Sequence, residues 1–384
     1  QSSPVVAGGM GETDRFDLAV FDEAHKTAGR QGTKFSFALD DEKLPIKKRL
    51  FMTATPRHYN INKTNKAGDH QLFYSMDDGD KYGNLVHQLS FARSIEQEII
   101  CDYRVVISVV TSDEVNDKLL SQSDVLVGTD LVLARQVANQ IALKRAVEKY
   151  QTGKIITFHG QVKSAKSFVS RGNEGVGYHL TDFSYWHING KMNTSERASI
   201  MKEFRNANSS IISNARCLTE GVDVPAVDMV CFMSPKKSKV DIVQAVGRAM
   251  RTSDDKEFGY ILIPLYLQRE IGESIEGALA RTDFSEVWNV INALKEQDEV
   301  LNDVISQMRT DKGRRKGFDD SRFREKVEIL GAEINLETLR RNITVELVDK
   351  LSVSWDERYG QLVTYKEEFG DCNVPRGYLE NPKL

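Results

Sequence analysis

Six short runs in this 384-residue chain are apolar from end to end: Leu18–Phe21, Leu50–Met52, Ile155–Phe158, Ile211–Ile212, Met229–Phe232 and Tyr260–Leu265. Each is closed off by polar or turn-forming residues. A run without alternation has no face to turn toward water, so runs this short suit parallel strands covered on both sides. Helical patterns lie between them. Asn193 followed by Glu196 is a capping-box-like start, and it leads into Ile200, Met201 and Phe204 on one helical side. Strands alternating with helices imply α/β layers joined by right-handed crossovers.

The length predicts two or three domains of about 100–200 residues each. The first strand group falls in residues 1–92 and the second in 93–267. Beyond them the pattern turns helical over 268–350, where Phe284, Val287, Trp288, Ile291, Leu294, Leu301, Val304, Ile305 and Met308 read as one long helical stripe. Residues 351–384 read as a separate small helical unit, in which Trp355, Tyr359, Leu362 and Tyr365 fall at helical spacing. That spacing favours a core stripe over a base-stacking surface.

Composition narrows the function classes. The net charge of −4 means that nucleic-acid binding must use local patches rather than the whole surface. One such patch, residues 312–317 with Lys312, Arg314, Arg315 and Lys316, is either a nucleic-acid contact or a solvated linker. Cys101, Cys217, Cys231 and Cys372 show no C-x-x-C spacing. They read as free thiols of a reducing compartment, the cytoplasm, with neither a disulfide framework nor a zinc site. No apolar run approaches the roughly 20 residues of a membrane span.

Four motifs carry chemistry. Asp22, Glu23, Ala24 and His25 follow the first apolar run directly. A carboxylate at a strand end can anchor Mg²⁺, and the next can orient a water or take its proton. The plain alternative is a solvated acidic strand end. A protease reading of Glu23 and His25 fails, because no H-E-x-x-H is present. Thr53, Ala54, Thr55 and Pro56 follow the second run, and Pro56 alone could account for a turn there. In residues 215–225, Gly221 permits close backbone approach and Asp223 can accept a hydrogen bond from a ribose hydroxyl or an arginine. Last, Gln244, Gly247, Arg248 and Arg251 form Q-x-x-G-R-x-x-R. Two arginines at that spacing share one helix face and can reach one phosphate, and Gly247 would let the helix approach a neighbour.

The strings F-D-E-A-H-K-T-A-G, T-A-T-P, A-R-C-L-T-E-G-V-D-V-P and Q-x-x-G-R-x-x-R together resemble the superfamily-2 helicases of the DEAD/DEAH-box type. Tyr74–Asp78, Leu89–Phe91 and the stretch Lys239–Arg251 are similar to a bacterial predicted-helicase branch related to the motor subunits of restriction enzymes. Residues 355–375 resemble the first part of a helicase-associated repeat.

The resemblance implies an α/β fold of two RecA-like parallel-sheet lobes, the first truncated at its N-terminus, followed by a helical C-terminal region. It implies ATP and Mg²⁺ as cofactors, with ATP hydrolysed between the lobes. Asp22 would hold Mg²⁺, and Asp22, Glu23, Arg248 and Arg251 would be catalytic. Gln244, Gly221, Asp223 and Gly247 would bind the nucleotide, while His25, Thr53 and Thr55 would couple it to the nucleic-acid track. The implied partner is DNA or RNA, DNA favoured, and no membrane. Such a motor also needs G-x-x-x-x-G-K-[ST], which does not occur in the 384 residues. The family places that loop before D-E-A-H, so it is expected upstream of Gln1, and this chain alone is expected to be inactive. The motor portion of a restriction-modification enzyme and a non-hydrolysing nucleic-acid-binding module are the alternatives.

Overall fold

All six apolar runs become strands. The computed structural model describes residues 8–9, 15–30, 35–58, 73–121, 131–170, 175–215, 227–253, 256–270, 272–314, 319–331, 344 and 354–375. The chain divides into two compact units, 1–88 and 89–384.

The first unit holds β1 (Ala19–Phe21), β2 (Gly29–Arg30), β3 (Arg49–Phe51), β4 (Phe73–Tyr74) and a short helix α1 (Gly79–Tyr82). β1 and β3 are parallel, with Val20 opposite Leu50, while β2 pairs antiparallel with β4. Ala19, Phe21 and Phe37 close over Ala38, Leu44 and Ile46. Phe21 stacks on Phe51 at 5.1 Å between ring centres, and Tyr82 tilts onto Phe51 at 4.9 Å. Burial on both faces, expected from the sequence, is not found here. Leu18, Val20, Leu50 and Met52 are exposed. Alternate residues of a strand point to opposite faces, and the described core of this unit covers only one of them.

The second unit is built on β5 (Asp102–Thr111), β6 (Lys154–His159), β7 (Ser184–Asn189), β8 (Ser210–Ala215), β9 (Met229–Phe232), β10 (Phe258–Leu267) and β11 (Val327–Leu330). They form one seven-stranded parallel sheet in the order β11-β5-β10-β9-β6-β8-β7. Its helices are α2 (Phe91–Glu96), α3 (Ser112–Ser121), α4 (Leu131–Tyr150), α5 (Val162–Phe168), α6 (Thr194–Asn206), α7 (Lys239–Ala249), α8 (Ile275–Arg281), α9 (Ser285–Lys295), α10 (Glu299–Gly313), α11 (Ser321–Lys326) and α12 (Ser354–Phe369). Here both sheet faces are covered. Ile156, Phe158, Ile212, Val230, Phe232, Ile261 and Ile263 pack with residues of α7, α9 and α10. Their neighbours Ile155, Ile211, Met229, Cys231 and Leu262 pack with Leu143 and Ala146 of α4 and Phe168 of α5. The predicted cap on α6 is present, the Asn193 side chain accepting from the Glu196 amide at 2.7 Å.

In this sheet three strands escape a search for wholly apolar runs. β5 is interrupted by Arg104 and Ser108, β7 is built from Tyr, Trp and His, and β11 lies inside the stretch read as helical. The long helical stripe also divides. Asp298, fully buried, ends one pattern and caps the next: its carboxylate accepts from the Val300 and Leu301 amides at 3.0 and 3.2 Å and from the Tyr103 hydroxyl at 2.7 Å. Lys326 sits 3.9 Å from the same carboxylate.

At the C-terminus α12 lies against α10 with glycine at the contact on both sides. A Cβ on Gly313 would come within 3.0 Å of the Glu357 carbonyl carbon, and one on Gly360 within 3.0 Å of the Thr310 carbonyl carbon. Arg309 pairs with Glu357 at 2.8 Å, and Arg314 pairs with Glu367. Arg314 therefore ties the basic segment to α12, while Arg315 and Lys316 lie outside the described residues. The core-stripe expectation fails for two aromatics. Trp355 and Tyr359 are 64% and 46% exposed and stack on each other at 5.1 Å, whereas Tyr365 is buried. Glycine, not the aromatic stripe, makes the closest approach to α10.

Candidate functional site

The first unit brings the carboxylate motif and the threonine motif together. β1 ends at Phe21, and the chain turns at once into a single 3₁₀ turn, Ala24–Lys26. The turn needs Glu23 in the left-handed region, at φ 52°. That conformation is uncommon for a residue with a side chain and tends to occur where function holds it. The Asp22 carboxylate accepts from the Glu23 amide at 2.8 Å. The Ala24 amide donates to the Met52 carbonyl at 2.9 Å, which stitches this turn to the end of β3.

His25 is 1% exposed beneath that turn. Its Nδ1 lies 3.0 Å from the Thr53 hydroxyl and 3.2 Å from the Glu23 carboxylate. The Thr53 hydroxyl in turn accepts from the Thr55 amide at 3.1 Å. Glu23, His25, Thr53 and Thr55 thus form one chain of polar contacts between the two loops. Asp22 and Glu23 are hard oxygen donors, the chemistry that suits magnesium. No group of three or more metal-ligating side chains occurs among the described residues.

In the second unit, Gln244, Gly247 and Arg248 lie on α7, whose start is capped by Ser238 accepting from the Asp241 amide at 3.3 Å. Arg251 does not share the helix. The helix closes at Met250, leaving Arg248 buried and Arg251 exposed beyond the cap. One helix face therefore does not present both arginines. The helix ends here because its last carbonyls are taken: the Met250 carbonyl accepts from the Cys101 amide at 2.9 Å, and the Lys256 ammonium donates to the Ala249 carbonyl. Lys256 also donates to the Arg251 carbonyl at 3.0 Å and the Val227 carbonyl at 2.7 Å, so it fixes the backbone that carries Arg251. Burial pushes this ammonium below the ordinary lysine value. The sequence offered no signal for Lys256, which looks like any lysine in a polar loop.

Among the described residues Gly247 serves no close packing, since a Cβ there would meet none of them within 4 Å. The close approach belongs to Gly259, whose Cβ would lie 3.3 Å from the Ala249 Cβ and inside contact distance of its carbonyl. Gly221 and Asp223 lie outside the described residues. Lys236, before α7, sits 4.7 Å over the Phe158 ring and 3.7 Å from Asp241, and burial lowers its proton affinity. Thr157 is fully buried in β6. His159, at the end of that strand, has Nε2 2.9 Å from the Thr157 hydroxyl. Burial, helped by nearby His187, lowers its pKa to about 3, so the ring is neutral.

With this geometry in place, comparison with known proteins is specific. Residues 138–253 match the helicase conserved C-terminal domain, and residues 352–384 match the helicase associated domain. The chain is 26% identical over 264 residues to a probable helicase of African swine fever virus, covering 67% of this chain and 27% of that protein. The match spans about a quarter of the length of such curated relatives. Among solved structures, the ATP-dependent Type ISP restriction-modification enzyme LlaBIII bound to DNA matches with a TM-score of 0.71 and 26% identity, over 99% of this chain and 27% of that one. A nuclease-deletion mutant of the Type ISP enzyme LlaGI, in complex with a DNA substrate mimic, has the same fold at a TM-score of 0.55 and 23% identity, over 98% of this chain and 24% of that one. Two segments of the chain thus match helicase C-terminal and helicase-associated domains, on an α/β fold shared with LlaBIII. No helix among the described residues is long and apolar enough to cross a membrane.

Proposed function

We propose that this chain contributes the motor elements of an ATP-driven nucleic-acid helicase or translocase. The observation that carries this reading is the hydrogen-bonded junction of Glu23, His25 and Thr53, in a chain that also bears a helicase conserved C-terminal domain. Asp22 would hold magnesium, which when bound supplies charge neutralisation at the phosphates. Glu23 orients the attacking water and receives its proton. Arg248 and Arg251 bind phosphate oxygens and stabilise charge on the transferring group, which suits a planar guanidinium that stays charged at any working pH. Gln244, Gly247, Gly221 and Asp223 complete the nucleotide contacts. His25, Thr53 and Thr55 carry the state of the carboxylates to the nucleic-acid track. DNA is the favoured nucleic acid, because the similar enzymes LlaBIII and LlaGI were determined with DNA or a DNA mimic. Contacts to phosphates leave little dependence on base sequence.

The test uses Glu23→Gln and Arg251→Ala in the protein as its gene encodes it. Each is expected to lower kcat for ATP by about 10³-fold or more with a smaller effect on ATP binding. A variant with near-parental turnover leaves the catalytic set. Residues 1–384 alone are expected to release phosphate only at background, since they contain no phosphate-cradling loop; turnover stimulated by nucleic acid would refute that.

A second reading, the motor portion of a restriction-modification enzyme, is favoured by the likeness to LlaBIII across nearly the whole chain. ATP-dependent cleavage or methylation of DNA by the complete gene product decides for it.

A further inference from the structure

The second unit encloses a cavity of about 360 Å³ at the ends of β6, β9 and β10, between α4, α8 and α9. Glu286, in the first turn of α9, lines it. The residue is half-buried, but its Oε1 is sealed from water and has no hydrogen-bond partner among the described residues. A carboxylate this close to a helix start usually caps the free amides. This one does not, and an unsatisfied buried acceptor is costly unless something else meets it. Burial raises its pKa to about 8, so at neutral pH it is mostly the uncharged acid, with a donor beside an acceptor.

The walls fit a flat, partly apolar ligand. Phe168, Met233 and Leu265 line the same cavity. The Phe168 ring lies 5.0 Å from that of His159, and Asn139 holds the Met233 carbonyl at 3.0 Å. Arg135 is exposed at the cavity and makes no ion pair among the described residues, whereas Arg281 is engaged by Glu273 at 2.6 Å. A volume at the low end of ligand sites admits only a small molecule.

We propose that this cavity binds a single nucleotide, its base edge on the Glu286 carboxyl and its phosphate toward Arg135. Adenine shows an acceptor, N7, beside a donor, the N6 amine, the complement of a protonated carboxyl. The inference rests on the nucleic-acid reading above and adds a base-reading site to it. The nucleotide comes either from solution or from a strand with one base splayed out, as single strands allow.

The acid form gives the site a pH dependence. The groups facing Glu286 are Arg135 from α4, Asp283 before α9, Arg281 from α8, His159 from β6 and Tyr266 from β10. The arginines stay charged, His159 stays neutral, and burial raises the Tyr266 phenol. Glu286 is therefore the group that titrates between pH 7 and pH 9.

The experiment titrates AMP into the 384-residue chain by calorimetry at pH 7 and pH 9, with Glu286→Gln and Glu286→Leu, each checked for parental melting. Saturable binding in the millimolar range is expected, about tenfold weaker at pH 9 as the acid form falls to about a tenth. Glu286→Gln should keep binding and lose the pH dependence, and Glu286→Leu should lose binding. Displacement of AMP by a short oligo-dA strand assigns the base to a bound strand; no displacement assigns it to a free nucleotide. Absent saturation, or equal binding by Glu286→Leu, overturns the proposal. If oligo-dA still binds in a salt-sensitive way in that case, the motor reading survives the loss of the cavity.

Discussion

Gly360→Ala isolates the contact that holds the helicase-associated helix to the rest of the second unit. Gly360 lies inside α12, so propensity alone favours alanine by about 1 kcal/mol. The new Cβ, however, would fall 3.2 Å from the Arg314 amide nitrogen, 3.0 Å from the Thr310 carbonyl carbon and nearer still to its oxygen. The obstacle is backbone, which cannot turn aside as a flexible side chain can. The helices must part by about 1 Å, and a gap of that size forfeits up to about half of each contact's dispersion energy. Overpacking of this kind costs about 1–3 kcal/mol. The expected net change is a loss of up to about 2 kcal/mol in the docking of α12.

Gly247→Ala is the matched control. It is also inside a helix, but its Cβ would meet none of the described residues within 4 Å, so the propensity gain of about 1 kcal/mol is expected. Because the chain has two units, the readout must be local. Hydrogen exchange of the amides in residues 354–369 should speed up in Gly360→Ala, and exchange of α7 amides should slow in Gly247→Ala. Equal stabilisation by both alanines would refute the reasoning, since it would mean that the α10–α12 contact yields freely.

The remaining predictions concern the buried polar groups. Asp298→Ala removes a helix cap worth about 1 kcal/mol and leaves the buried Tyr103 hydroxyl unsatisfied at about 1–3 kcal/mol, so urea unfolding should report a loss near 3 kcal/mol. Tyr103→Phe deletes only one bond to that carboxylate, and about 1 kcal/mol is expected; equal losses in the two variants would remove Asp298 as the hub. His159 is neutral when folded and takes a proton near its ordinary pKa of 6.5 when unfolded, so its contribution is complete above that pH and is lost as pH falls toward 3. Its slope approaches about 1.4 kcal/mol per pH unit, and His159→Gln should flatten the urea stability profile between pH 6 and pH 4.5 by that order. Thr53→Val in the complete protein cuts the link from His25 to the Thr55 amide, and stimulation of ATP turnover by nucleic acid should fall more than basal turnover; parallel losses would argue against coupling through Thr53.

The sequence by itself determined the fold class and the chemistry of the motifs. The wholly apolar runs Ile155–Phe158, Met229–Phe232 and Tyr260–Leu265 found cover on both sides as central strands of a layered sheet, whereas Leu18–Phe21 and Leu50–Met52 became strands with one face left exposed. The residues of D-E-A-H, T-A-T-P and Q-x-x-G-R-x-x-R were legible for the same local reason: their side-chain chemistry and spacing are written in consecutive positions. Only the tertiary structure decided what depends on partners distant in the chain. β5 tolerates Arg104 and Ser108 because β10 and β11 pair with it on either side, and no local pattern announces β11 as its neighbour. Arg248 and Arg251 look equivalent in a helical repeat, yet Lys256 and Cys101 bind the carbonyls around Ala249 and Met250, so the helix stops between them. Gly247 and Gly259 are indistinguishable as letters; the position of the Ala249 carbonyl makes one of them obligatory and leaves the other open. Trp355 and Tyr359 have the spacing of a core stripe, but α12 turns its glycine toward α10, and the aromatics are left outside. Burial and close approach are sums over contacts from the whole chain, and a run of neighbouring residues carries only its own share of that sum.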